Sequence, residues 1–227
     1  RYRSNNDWTC PMVIRAPVGG YIHGGLCHSQ SIDGFFFHLP GIYLAYPSNA
    51  ADAKGLLKMA CRMNDPVLFL EHKGLYRQGY AATPEPDKNY VLPFGKARVV
   101  QEGNELTIIT WGAMVQKSIE ASRSIGLSDG IIEIIDLRTL NPLDLATIGS
   151  SIEKTGKALV VHEDNLTNGP GAEISALISD NYFELLDGPI RRVASKDSPI
   201  PFSDILEEEI LPQVYDISTS IVELLEY

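Results

Sequence analysis

Residues 41–72 read GIYLAYPSNAADAKGLLKMACRMNDPVLFLEH, and this stretch decides the fold class. GIYLAYP is typical of a short strand, and Ser48 or Asn49 is placed to cap the helix that follows. One face of that helix carries apolar residues at the spacing i, i+3, i+4, i+7, namely Ala53, Leu56, Leu57 and Ala60. PVLFLEH is a continuous apolar run, as in a parallel strand covered on both faces. Strand, helix and strand in this order predict a parallel α/β sheet.

The residues before this stretch predict one more strand and a glycine-rich loop. PMVIRAP, residues 11–17, is a short strand pattern, and a loop follows from Gly19 to Gly25. We expect a helix to begin within HSQSIDGFFFH, residues 28–38. Ligands of open parallel sheets bind beyond the carboxyl ends of the strands. Residues 19–37, GGYIHGGLCHSQSIDGFFF, are therefore the first place to look for a site.

A break in the pattern divides the chain. Residues 78–97, QGYAATPEPDKNYVLPFGKA, hold three prolines and no apolar period. Proline removes a backbone donor and fixes φ, so this segment is predicted to be a linker. We therefore expect a first domain at residues 1–77 and a second at residues 98–227.

The second domain repeats the alternation of strands and helices. ARVVQEGNELTIITWG predicts a hairpin with Gly103-Asn104 as its turn. GIIEIIDLRTL reads as one buried strand, and Asn141-Pro142 as the start of a helix with Pro142 at its first position. Further strands are expected at ALVVHED and IRRVAS. Further helices are expected at residues 115–125, after Gly171, and at the end of the chain, where apolar residues share one face: Ile217, Ile221, Leu224 and Leu225.

Charge and cysteine content exclude several classes of protein. The net charge of −10 argues against nucleic-acid binding, which depends on Lys and Arg. No apolar run reaches the roughly 18 residues of a membrane span, so no membrane crossing is expected. Three cysteines without a CxxC pair favour reduced thiols, in the cytoplasm or an equivalent reducing compartment. Residues 197–227 carry eight acidic residues and no Lys or Arg. They form either a solvated helix face or a docking surface for a basic partner.

His28 is the candidate catalytic residue. It is expected at or just before a helix N-terminus, where the helix dipole would favour a neutral imidazole suited to proton transfer. A lone histidine there is more often only a cap. A Cys27–His28 thiol pair lacks an orienting third group. A metal cluster of His23, Cys27, His28 and His38 lacks any known ligand spacing. Gly169-Pro170-Gly171 begins like a dinucleotide fingerprint, but Ile174 stands where the third glycine belongs.

These strings together resemble a known family. GGYIHGGLCHSQSIDGFFFHLPGI and the stretch from YPSNAADAKG to EHKGLYR resemble the beta chain of thiamine-diphosphate-dependent 2-oxo acid dehydrogenases, of the pyruvate and branched-chain type. DLRTLNPLD, VVHEDN, GPGAEI and LDGPIRRVASKDSPIPF resemble the C-terminal domain of transketolase relatives. The resemblance implies the C-terminal part of a pyrimidine-binding parallel-sheet domain at residues 1–77, followed by a transketolase-type C-terminal α/β domain at residues 98–227.

The resemblance also implies a function and partners. It implies oxidative decarboxylation of a 2-oxo acid with acyl transfer to a lipoyl domain, in which the histidine at position 28 assists proton and acyl transfer. Thiamine diphosphate with Mg²⁺ would lie against an alpha-type chain or domain, so no cofactor-binding residue is assigned to this chain. The family further implies a homodimer of the C-terminal domain and a lipoyl-acyltransferase docked near the acidic C-terminal segment.

Two finer expectations rest on the same resemblance. Backbone carbonyls after the first long helix hold a potassium ion in such beta chains, and the matching positions here are Ala60, Cys61, Met63 and Asp65. Met63 departs from the usual Asp. EHKGLYR, residues 71–77, resembles the branched-chain versions more than the pyruvate versions, so branched-chain 2-oxo acids are favoured.

The sequence begins at Arg1 in what reads as the middle of a domain, so we expect a fragment of a longer chain. The family's glutamate that activates the aminopyrimidine matches no position here. The isolated fragment is therefore expected to be inactive. The alternative is a non-catalytic module for dimerisation and docking.

Overall fold

Two sheets flanked by helices make up the protein, whose computed structural model describes residues 1–227. The first 77 residues contain β1 Val13–Val18, α1 Gly25–His28, α2 Asp33–Phe37, β2 Tyr43–Ala45, α3 Ala50–Ala60 and β3 Val67–His72. The remainder contains β4 Arg98–Gln101, β5 Gly103–Thr110, α4 Met114–Ser124, β6 Gly130–Asp136, β7 Thr139–Asn141, α5 Leu145–Thr155, β8 Ala158–Asn165, α6 Pro170–Tyr182, β9 Arg191–Ser195, α7 Asp204–Ile210 and α8 Val214–Leu225. Four single-turn 3₁₀ helices lie at Tyr2–Ser4, Lys73–Leu75, Gly79–Ala81 and Phe183–Leu185.

The N-terminal sheet has the strand order β1-β3-β2-β7, with the apolar run of β3 between two parallel neighbours. Val67 of β3 lies opposite both Val13 and Tyr43. Asn49 caps α3, since its side-chain oxygen accepts the N–H of Asp52 at 3.0 Å. The parallel α/β fold predicted from residues 41–72 is confirmed.

The C-terminal sheet has the order β4-β6-β5-β8-β9, and all of its pairs are parallel except β4 with β6. The predicted hairpin between β4 and β5 is therefore wrong. β4 instead pairs with β6 and lies at the edge of the sheet. In this pairing Arg98 of β4 lies opposite Asp136 of β6. This arrangement places β5 between two parallel strands, where Ile108 and Ile109 are fully buried.

The stretch GIIEIIDLRTL is not one strand but two, β6 and β7, which belong to different sheets. The chain turns at Arg138, which has a φ of 60° and donates hydrogen bonds to the carbonyls of Lys96 and Ala97. β7 then pairs antiparallel with β2 of the N-terminal sheet. The predicted helix start at Pro142 is also wrong, because Asp144 caps α5 by accepting the N–H of Thr147 at 3.2 Å.

One apolar core connects the two sheets. Leu44 and Leu70 of the N-terminal sheet belong to the same buried cluster as Ile109 and Val160 of the C-terminal sheet. A second cluster packs α4 and α8 against the other face of the C-terminal sheet, and there Ile217, Ile221 and Leu224 of α8 are fully buried. None of the helices combines the length and apolar character that a bilayer crossing requires. The shared core brings the carboxyl end of β3 against β8, where the site described next is built.

Candidate functional site

The loop at residues 19–31, which we call the His28 loop, follows β1 at the carboxyl edge of the N-terminal sheet. Its two ends meet, because the N–H of Gly19 donates to the carbonyl of Gln30 at 3.1 Å. Inside the loop, the N–H of Gly24 donates to the Ser29 hydroxyl at 2.9 Å. The ends and the inner turn of the loop are thus tied, while the side chain of His28 is exposed to solvent.

His28 is the last residue of α1, not the first of a helix. A helix does begin within residues 28–38 as predicted, but only at Asp33, where the short α2 starts, and Ser29–Ile32 separate it from α1. The expectation that a helix N-terminus keeps His28 neutral is therefore wrong. The imidazole makes no hydrogen bond within the chain, and the carbonyl of His28 accepts a hydrogen bond from Lys73, which follows β3. His28 is thereby presented to solvent on a fixed backbone.

Glu163 of β8 is the buried anchor beneath this loop. Its Oε1 accepts the N–H of Gly20 at 2.6 Å and the hydroxyl of Ser31 at 3.1 Å. Its Oε2 lies 2.6 Å from Nε2 of His72, the last residue of β3. Burial by itself would raise the pKa of Glu163. The charge and hydrogen bond of His72, together with the hydrogen bonds from Gly20 and Ser31, outweigh this effect, so the pKa is lowered overall. An ionised carboxylate only accepts, so Nε2 of His72 carries the proton of this bond.

Gly19 gives the His72–Glu163 pair its room. A Cβ at Gly19 would lie 2.3 Å from Cδ2 of His72, and the residue has a φ of +91°. Because of this clash and the positive φ, a residue with a side chain at position 19 would destabilise the fold. The first glycine of the loop is therefore required by the packing of the imidazole under it.

A second link joins α2 to the C-terminal sheet. Nε1 of Trp111 donates to Asp33 at 2.8 Å, and the N–H of Gly34 donates to Asp164 at 2.6 Å. Burial, reinforced by the nearby Asp164 carboxylate, raises the pKa of Asp33 well above its usual range. The indole of Trp111 stacks on His162 with a centroid separation of 5.5 Å. Burial lowers the pKa of His162 to about 3, so the stack contains a neutral imidazole.

A third buried cluster connects α3 with β6. The Ser48 hydroxyl donates to Asp136 at 2.5 Å, and Arg98 lies 3.5 Å from Asp52 and 3.6 Å from Asp136. Burial raises the pKa of Asp136 to about 6, and Asp52 adds to the rise. The two sheets are thus joined by ionisable side chains at several points besides their apolar core.

Comparison with known protein families identifies both parts of the chain. Residues 1–78 match the pyrimidine binding domain of transketolase, and residues 95–217 match the transketolase C-terminal domain. The 2-oxoisovalerate dehydrogenase subunit beta of Bacillus subtilis (strain 168) is 44% identical over the whole chain and 69% of its own length. The pyruvate dehydrogenase E1 component subunit beta of the same organism matches equally, at 44% identity over 100% of the chain and 69% of its own length.

The chain belongs to the 2-oxo acid dehydrogenase E1 beta family. Its fold is also similar to that of a solved structure described as "Split gene transketolase, inactive beta4 tetramer", with a TM-score of 0.74 and 22% identity over 97% of the chain and 69% of that structure. That likeness supports the fold alone. The family and the fold class inferred from the sequence motifs are confirmed.

The four residues expected to hold potassium lie at the opposite edge of the N-terminal sheet from His28, around the end of α3 and before β3. The carbonyl of Ala60 already accepts the N–H of Met63 at 3.1 Å. Asp65 is already ion-paired with Arg1, and Cys61 is exposed. No group of three or more His, Cys, Asp or Glu side chains is arranged to hold a metal ion. The set Ala60, Cys61, Met63 and Asp65 was inferred for backbone carbonyl ligands, which a search of side chains does not test, so it stays a prediction.

Sequence reasoning did not find the most buried part of the site. His72 and Glu163 stand in the motifs EHKGLYR and VVHEDN, but their pairing spans 91 positions of the chain. The one available signal was charge at the end of otherwise apolar strands, where an unpaired carboxylate would be costly to bury. His23 was considered for metal binding, and the structure instead pairs its Nδ1 with the buried Glu207 at 2.9 Å.

A surface pocket of about 400 Å³ lies beside this site without including His28. Leu57 of α3 and both Phe69 and His72 of β3 line it, together with residues of the segments that flank these elements. Because no residue of the His28 loop lines it, we do not assign the pocket to the site.

Proposed function

We propose that this chain is the part of a thiamine-diphosphate-dependent decarboxylating component that presents His28 to the reacting groups. The observation that carries the proposal is the exposed, unpaired imidazole on a loop whose two ends are fixed to Glu163. In a chain of the E1 beta family, such an arrangement suits proton transfer at a bound 2-oxo acid and acyl transfer to a lipoyl group. Residues 1–77 would form the pyrimidine-side domain, residues 78–97 the linker, and residues 98–227 the second domain.

The chain's own contribution is positioning and proton transfer. Bound thiamine diphosphate, with Mg²⁺ on its phosphates, would supply the electron sink for loss of carbon dioxide. No residue of this chain is assigned to binding the phosphates, so an alpha-type chain or domain would complete that part of the site. His28 would then hold or donate a proton beside the reacting carbon, with its backbone fixed by Lys73.

The acidic C-terminal segment is proposed as the docking surface for a basic region of the lipoyl-acyltransferase, and the same domain as a dimer contact. The structure reduces the charge that is available there. Glu207 is buried against His23, and Glu209 is paired with Lys196. Asp204, Glu208, Glu223 and Glu226 stay exposed, which is enough to speed encounter with a basic partner.

The compartment is proposed from the thiols. Cys10, Cys27 and Cys61 are all free and exposed, a state that persists in the cytoplasm or an equivalent reducing compartment.

Branched-chain 2-oxo acids are the proposed substrates, on the basis of residues 71–77. The test is the assembled component with thiamine diphosphate and Mg²⁺, assayed with 3-methyl-2-oxobutanoate and with pyruvate using an artificial electron acceptor. We expect the higher kcat/KM for 3-methyl-2-oxobutanoate. A higher value for pyruvate would overturn the substrate but keep the reaction. A lack of turnover with either acid would overturn the proposed reaction, and a lack of cofactor binding as well would favour the docking module.

A further inference from the structure

We propose that Glu163 is the positioning residue of His28, acting across the interface between the two sheets. This inference rests on the proposed function, because it assigns a second residue to the same reaction. Glu163 lies on β8 with 5% of its side chain exposed, so its contacts are made in the interior. It reaches none of the reacting groups itself and acts through the His28 loop.

The contacts of Glu163 fall on both ends of the loop. Oε1 accepts from Gly20, at the start of the loop, and from Ser31, at its end. A single oxygen atom therefore bridges the two ends of the loop, beside the backbone hydrogen bond between Gly19 and Gln30. Each of the other residues outside the loop that hydrogen-bond to it contacts one loop residue only, as Glu207 does at His23 and Ile200 does at Gln30.

The second oxygen of Glu163 connects the loop to β3. Oε2 binds His72, and the next residue, Lys73, donates to the carbonyl of His28. The backbone of His28 is thus held from Glu163 along two routes, one through the loop and one through β3. Hydrogen bonds to an ionised acceptor in a buried site are stronger and shorter than neutral ones, so the carboxylate charge contributes to both routes.

The charge is therefore the property to remove. Glu163→Gln keeps the size of the side chain and an oxygen for Gly20 and Ser31, but places an amide or a neutral oxygen against Nε2 of His72. The loop then loses its charged anchor and His28 shifts. Displacement by about 1 Å from productive geometry costs on the order of 10²-fold in rate.

Glu133→Gln is the matched control. Glu133 lies on β6 of the same sheet, is equally buried, and is paired with Lys154 rather than with the loop. Both variants remove one buried negative charge from the C-terminal sheet. Only Glu163→Gln is expected to lower the rate at which the assembled component turns over a 2-oxo acid.

The experiment is a double-mutant cycle of Glu163→Gln and His28→Ala in the assembled component, with kcat and KM measured separately and assembly checked by thermal unfolding. We expect Glu163→Gln to lower kcat by about 10²-fold with KM changed less than about threefold. In the His28→Ala background we expect no further loss of kcat, because both changes remove the same contribution. Glu133→Gln is expected to leave kcat unchanged.

Two outcomes would overturn the inference: a wild-type kcat in Glu163→Gln, or an equal loss of kcat with and without His28. If Glu163→Gln does not assemble, Ser31→Ala is the deciding variant, because it removes one contact between the loop and Glu163 and keeps the carboxylate charge. Ser31→Ala must then lower kcat when His28 is present and leave kcat unchanged in the His28→Ala background. A wild-type component without turnover on any 2-oxo acid would mark failure of the proposed function, which is a separate result.

Discussion

Nε2 of His72 and Oε2 of Glu163 lie 2.6 Å apart, and this bond joins the carboxyl end of β3 in one sheet to β8 in the other. Both side chains are almost fully buried. Taking a carboxylate out of water is costly unless donors surround it, and here three donors do so. The site and the sheet interface therefore depend on the same residue pair.

Gly19→Ala is expected to disturb this pair directly. The added methyl group would lie 2.3 Å from the His72 ring, and the backbone φ of +91° adds strain. We expect a loss of about 2–4 kcal/mol in the free energy of unfolding, measured by urea denaturation, and a lower kcat. The control is Gly126→Ala, which has a φ of +65° but no atom within 4 Å of the added Cβ. Equal destabilisation by the two variants would show that the clash with His72 is not important.

Trp111→Phe is expected to weaken the link between α2 and the C-terminal sheet. The change keeps an aromatic ring beside His162 but removes the donor of Asp33, which would be left buried without that bond. We expect a loss of about 1–3 kcal/mol in the free energy of unfolding. Trp8→Phe is the matched control, because Trp8 is 72% exposed and its loss should change stability by less than about 0.5 kcal/mol. The prediction fails if both variants unfold at the same urea concentration.

Asp136→Asn is expected to change how stability depends on pH. Burial raises the pKa of Asp136 to about 6 in the folded state, so between about pH 4 and pH 6 the folded protein binds more protons here than the unfolded chain. This group therefore lowers wild-type stability as the pH rises through that window. Asn does not titrate, so the free energy of unfolding of the variant minus that of the wild type should increase by up to about 3 kcal/mol from pH 4 to pH 7.

The measurement is urea denaturation of both proteins at several pH values. Asp180→Asn, an exposed change on α6, is the control for removing one negative charge. A stability difference between Asp136→Asn and the wild type that does not change with pH would contradict the titration assigned to Asp136.

Short sequence patterns correctly predicted the helices and strands that depend mainly on neighbouring residues. Asn49 followed by a helical apolar face gave α3 and its cap, and the run PVLFLEH gave β3. The pairing of the strands was harder to predict. β4 pairs with β6, which follows α4, and β7 pairs with β2 of the N-terminal sheet although β6, just before it in the chain, belongs to the C-terminal sheet. These pairings depend on which edge is exposed after the whole chain has packed. No window of sequence contains that information.

The site shows the same division. The position of His28 came from a long motif in continuous sequence, and the resemblance to the E1 beta family came from the same motif. The helix dipole argument failed because the single turn of α1 ends at His28. Glu163, His72 and Trp111 come together only when the two sheets meet, so residue patterns alone could not assign them a common role.

The central claim is that His28 acts on the reacting groups, and His28→Ala in the assembled component tests it most directly. The measurement compares decarboxylation, followed with an artificial electron acceptor, with acyl transfer to a lipoyl domain. We expect acyl transfer to fall by about 10²–10⁴-fold, the usual contribution of a positioned acid–base group, while His38→Ala, an exposed histidine that follows α2, stays at the wild-type rate. Acyl transfer by His28→Ala at the wild-type rate would contradict the account.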